Sequence, residues 1–96
     1  MKVIEVSKVT ETIKEMCIEA NHFLSDDMKE ALYNAQKGEE SALGKQILGQ
    51  LQENLSIAGE DMIPICQDTG MAVIFMEIGQ DVHFTGGSLE EAINEG

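Results

Sequence analysis

Five consecutive residues, Cys66-Gln67-Asp68-Thr69-Gly70, gather a thiol, an amide, a carboxylate and a hydroxyl into one short stretch. As a thiolate, Cys66 is a soft donor suited to iron or zinc. Asp68 has the chemistry to move a proton or to orient an imidazole that does so. Gln67 offers both a hydrogen-bond donor and an acceptor. Gly70 lets the backbone turn sharply or approach a ligand closely. The island lies between Ile63-Pro64-Ile65, which Pro64 restricts to an extended conformation at Ile63, and an apolar run over residues 71–78. Reactive groups are often carried in this way, on a turn fixed by stiffer neighbours. On residue chemistry alone an ordinary reading stands beside this one and is favoured. Asp-x-Gly is common turn chemistry. A lone cysteine is more often a small buried hydrophobe than a ligand, and one cysteine does not define a metal site.

The elements that must position this island are legible from periodicity. A first helix is expected from about Ser7 to Phe23, with Val9, Ile13, Met16, Cys17, Ala20 and Leu24 on one face. Ser25 reads as the cap of a second helix, with Asp26 and Asp27 in its first turn and Gly38 just past its end. A third helix starts near Ser41, buries Leu43, Ile47, Leu48, Leu51, Leu55 and Ala58, and is expected to stop at Gly59. Residues 71–78 are rich in β-formers and read as a mostly buried strand. Gly79-Gln80-Asp81 then turns into a second short strand, Val82-His83-Phe84, which completes a hairpin. Ser88 and Glu91 form the capping box of a last helix that is cut off at Gly96. The expected fold class is α+β, mainly α: three helices packed together, the motif loop, a short β-hairpin and a truncated final helix, all in one unit over residues 1–96.

Composition narrows the partners. Eighteen acidic residues face six lysines with no arginine, for a formal charge of −12. Such a surface repels phosphate backbones and anionic lipids, which excludes nucleic-acid and membrane binding. Arginine is the usual bidentate clamp for carboxylates, so an anionic substrate has to be clamped by residues from elsewhere. Two widely spaced cysteines show no disulfide-scaffold pattern, and no apolar run reaches the length of a membrane span. A reducing, cytoplasmic setting is the expectation. Cys17 falls on an apolar helical face and reads as packing. His22 reads as a helix-terminal histidine favoured by the dipole, and His83 as a residue on the outer face of its strand. The methionines read as core filler and the acidic runs as solvated surface.

Pro64-Ile65-Cys66-Gln67-Asp68-Thr69-Gly70 followed by Met71-Ala72-Val73-Ile74-Phe75 resembles the amino-terminal cluster-binding motif of the class I fumarate hydratase and L-tartrate dehydratase α-type family. Glu77-Ile78-Gly79-Gln80-Asp81-Val82 and the stretch from Gly87 to Gly96 are similar to that family as well. So are Ser41-Ala42-Leu43-Gly44-Lys45 and Leu51-Gln52-Glu53-Asn54-Leu55 in the helical lead-in. The resemblance implies the amino-terminal piece of a hydro-lyase that reversibly hydrates or dehydrates a four-carbon dicarboxylate, fumarate with malate or tartrate with oxaloacetate. It implies a [4Fe-4S] cluster held by three cysteines, with Cys66 as the first ligand. It further implies Gln67 facing the substrate and Asp68 supporting acid–base chemistry beside a histidine from later in the subunit. The implied partners are the remainder of the catalytic subunit, a β-type subunit or domain, and further copies in a homo-oligomer.

Two cluster ligands, the arginine clamps and the later catalytic residues of that family are missing from these 96 residues, so the chain alone is expected to be inactive and to lack the cluster. Two other readings are open. Asp68-Thr69-Gly70 also matches the triplet of retroviral-type aspartic proteases, small dimers in which each chain gives one aspartate to a dyad. That fold is almost all β, against the helical reading of residues 7–58. The other alternative is a small acidic helical binding or assembly module without catalysis, in which the Cys66–Gly70 turn is structural.

Overall fold

The computed structural model describes the backbone of residues 1–96 and every side chain except those of Asp68 and Thr69. The element order is β1 (Lys2–Glu5), α1 (Val6–His22), α2 (Asp26–Gly38), α3 (Ala42–Asp61), a 3-10 turn (Gln67–Gly70), β2 (Val82–Thr85) and α4 (Leu89–Glu95). The fold is α+β and mainly helical. It divides into two compact units, one made of Met1–Ile18 with Met71–Gly96, the other of Glu19–Gly70.

In the first unit β1 and β2 form a two-stranded parallel sheet, with Lys2 opposite Val82 and Glu5 opposite Thr85. Along β2, Val82 and Phe84 are half-buried while His83 and Thr85 are exposed, the alternation that a strand with one covered face requires. His83 therefore sits on the outer face, as its neighbours suggest. Val6 and Ile13 of α1 and Ala92 of α4 are the buried apolar residues of this unit. The Thr10 hydroxyl ties α1 to α4 by donating to the Ala92 carbonyl at 2.9 Å. Gly86 links β2 to α4 at φ 90°, a left-handed conformation that glycine adopts without steric cost. Ser88 then caps α4 by accepting the Glu91 N–H.

The hairpin expected from the sequence is replaced by this parallel pairing. Val82 N–H donates to the Gly79 carbonyl in a turn, but residues 71–78 form no strand and are exposed throughout. Phe75 is 93% exposed and Met71 78%, so the expected mostly buried strand is absent. The physical reason lies in the ladder. A strand needs a neighbour for its N–H and C=O groups, and β2 pairs with β1. The helix that follows β1 then brings Val6 and Ile13 into the same unit.

In the second unit α2 and α3 pack against each other across the short link Glu39–Ser41. Gln52 Nε2 donates to Gln36 Oε1 at 2.7 Å, and Gln36 Nε2 donates to the Lys45 carbonyl at 3.1 Å. The end of α1, from Glu19 to His22, belongs to this unit with α2 and α3, and the larger part of α1 belongs with the sheet. Ser41 caps α3 by accepting the Gly44 N–H at 3.2 Å. Ser25 precedes α2 but makes no such bond. Its hydroxyl instead bonds the Asp27 carboxylate, which also accepts the Met28 N–H at 2.9 Å, and the two bonds hold the Asp27 carboxyl below its ordinary range.

Helix α3 runs through Gly59 and ends at Asp61. Gly59 is a contact glycine: a Cβ there would lie 3.1 Å from the Phe23 ring. The helix is closed by Met62 in the left-handed conformation, φ 53° and ψ 46°, while the Met62 and Ile63 N–H groups both reach the Ala58 carbonyl. A side chain at that conformation costs roughly 1–2 kcal/mol, offset in part by the lower unfolded-state entropy of a non-glycine residue. Met62 is half exposed, so little burial is lost on its removal. Met62→Gly is expected to stabilise the chain by about 0.5–1 kcal/mol, seen as a higher urea midpoint at unchanged slope. A lower midpoint would show that the Met62 side chain contributes more than its conformation costs.

Candidate functional site

Pro64 fixes its own φ and holds Ile63 extended, so the chain leaves α3 along a restricted path. Ile65 is then tied at both of its polar backbone groups. Its N–H donates to the Asn21 carbonyl in the last turn of α1, at 2.8 Å. Its carbonyl accepts the side-chain Nδ2 of Asn54 from α3, at 3.0 Å. Both partners lie with Ile65 in the second unit. Cys66 and Gln67 follow directly and are exposed at the start of the 3-10 turn. Such a turn is a common short connector with tight backbone geometry.

The arrangement thus presents the Cys66 thiol and the Gln67 amide to solvent from a turn whose entry is held by two helices. Asp68, the proposed acid–base residue, lies outside the described side chains. Cys17 is half-buried on α1, consistent with packing. His22 closes α1 as the basic residue of its last turn. Among the described residues no group of three or more His, Cys, Asp or Glu is placed to hold a metal ion. No helix among them is long and apolar enough to cross a membrane. Cys66 therefore fits one corner of a multi-thiolate site, since its donor is soft and its position accessible.

Two residues that support the turn were not singled out by sequence reasoning. Asn21 acts through its main chain, which no sequence pattern reveals. Asn54 carries a weak signal: asparagine is a poor helix former, yet it sits at an exposed position inside α3.

A family model described as fumarate hydratase (fumerase) matches residues 10–96. A provisionally named L(+)-tartrate dehydratase subunit alpha from Methanocaldococcus jannaschii is 38% identical over 76 residues, covering 79% of this chain and 27% of the relative. The anaerobic class I fumarate hydratase of Escherichia coli (strain K12) is 41% identical over 58 residues, covering 60% of this chain and 10% of the relative. The L(+)-tartrate dehydratase subunit alpha of the same organism is 28% identical over 93 residues, covering 94% of this chain and 31% of the relative. The chain spans less than a third of the length of each of these relatives. No solved structure matches.

Proposed function

Because the chain belongs to the fumarate hydratase (fumerase) family, a family of hydro-lyases, we propose that it forms the amino-terminal part of a [4Fe-4S] enzyme that adds water to, or removes it from, a four-carbon dicarboxylate. The interconverted pair is fumarate with malate or tartrate with oxaloacetate. The observation that carries the reading is the exposed Cys66 thiol on a turn whose preceding residue is bonded to α1 and α3.

In this reading Cys66 would hold one iron of the cluster through its thiolate, and the cluster, when bound, would supply Lewis-acid chemistry toward the substrate's carboxylate and hydroxyl. Gln67 binds the substrate through its amide, which both donates to a carboxylate and accepts from a hydroxyl. Asp68 orients and charge-balances a histidine from the remainder of the subunit, so that the pair carries the proton exchanged with the substrate carbon. The chain has no arginine, so the remainder of the catalytic subunit, with a β-type subunit or domain, clamps the dianion. The complete enzyme is a cytoplasmic homo-oligomer.

The 96-residue chain alone is therefore expected to turn over neither fumarate nor tartrate after anaerobic treatment with iron and sulfide. The complete enzyme is expected to act on one of the two. Turnover by the short chain would overturn the incomplete-site reading. A complete enzyme inactive on both substrates would overturn the activity.

A further inference from the structure

The two bonds at Ile65 fix two successive peptide planes. The N–H held by the Asn21 carbonyl belongs to the peptide joining Pro64 to Ile65, and the carbonyl held by Asn54 Nδ2 belongs to the peptide joining Ile65 to Cys66. A peptide unit is planar and carries the Cα of the next residue in its plane. Holding the Ile65 carbonyl therefore restrains the position of Cys66 Cα and the direction from which its side chain leaves the turn. The tie to Asn21 is main chain to main chain, independent of side-chain type. The tie to Asn54 exists only while that side chain can donate.

We infer that Asn54 is a positioning residue for Cys66, acting through the Ile65 carbonyl; the inference rests on the reading of Cys66 as an iron ligand. The residue type fits the task and not the helix. Asparagine lowers helix stability relative to alanine, and at this exposed site in α3 it gains little from burial. Its amide N–H is what the neighbouring carbonyl needs. Aspartate has the same shape but no donor, and it sets a carboxylate oxygen against the Ile65 carbonyl.

The test compares Asn54→Ala with Asn54→Asp. Alanine is the better helix former, so α3 persists in that variant. In the 96-residue chain, the Ile65 N–H exchanges only when the segment opens and leaves the Asn21 carbonyl, and in both variants that opening no longer has to break the Asn54 bond as well, so exchange at Ile65 is expected to quicken by about three- to tenfold. Exchange at Ala58, inside α3, stays unchanged in Asn54→Ala. In the complete enzyme, anaerobic release of iron to a chelator is expected to quicken by a similar factor in the same variants. Unchanged exchange at Ile65 would overturn the inference. So would an equal rise at Ile65 and Ala58, which marks general loosening of the helix. Faster exchange at Ile65 with unchanged iron release would likewise remove the positioning role. Failure of the cluster reading itself shows up separately, as full iron content in Cys66→Ser.

Discussion

Cys66→Ser in the complete enzyme is expected to lose most of its iron and sulfide, and with them nearly all activity, while Cys17→Ser keeps both. A serine oxygen is a harder donor than a thiolate and suits this iron less well. Cys66 is exposed, so the substitution removes no core packing, and a folded protein with a depleted or labile cluster should result. Cys17 lies half-buried on α1, where a hydroxyl in place of a thiol costs at most about 1 kcal/mol. Iron and sulfide analysis of the two variants, with circular dichroism as a check on folding, reads both outcomes. A full cluster in Cys66→Ser together with a lost cluster in Cys17→Ser would reverse the ligand assignment.

Asp68→Asn is expected to separate metal binding from proton transfer. The substitution keeps the side chain's size and removes its charge. The cluster content should stay at the wild-type level while turnover falls by ~10²-fold or more, the usual effect of losing a positioned acid–base group. Anaerobic kinetics on fumarate and tartrate, normalised to iron content, provide the measurement. Full activity would return Asp68 to the role of a turn residue, which the Asp-x-Gly pattern alone also explains. Iron loss in step with activity would make Asp68 part of the metal site.

The helices were legible because their apolar residues recur at three and four over many turns, and such long patterns average out local exceptions. The cap at Ser88 formed as its spacing suggests, Ser41 caps α3 where that helix was expected to start, and Ser25 makes no cap bond. Strand pairing was not legible. Lys2–Glu5 is too short to show alternation and runs straight into α1, so its role as the partner of β2 left no mark in the sequence. The run over residues 71–78 looked buried because nearly every residue in it is apolar. Apolar composition states a preference for burial and cannot supply the neighbour that provides it. Gly59 misled in a similar way. A glycine near a helix end usually marks the stop, whereas here it makes room for Phe23 and the stop falls on Met62.

The candidate site stood out in the sequence as Cys66-Gln67-Asp68-Thr69-Gly70 because its residue types are unusual together. Its support was not. The Asn21 carbonyl is a main-chain group common to every residue, and the bond from Asn54 to Ile65 spans eleven positions with no repeating pattern. Only the fold brings these groups to one peptide.

Alkylation of Cys66 with and without iron reads its ligation in the unsubstituted protein. In the complete enzyme, reconstituted anaerobically, Cys66 is expected to resist an alkylating reagent while the cluster is present. It should become labelled once a chelator has removed the iron, as an exposed thiol would. Mass spectrometry of the peptide containing Cys66 reads both states, and Cys17 serves as an internal reference whose labelling does not follow the iron. Equal labelling of Cys66 in the two states would contradict its assignment as a cluster ligand.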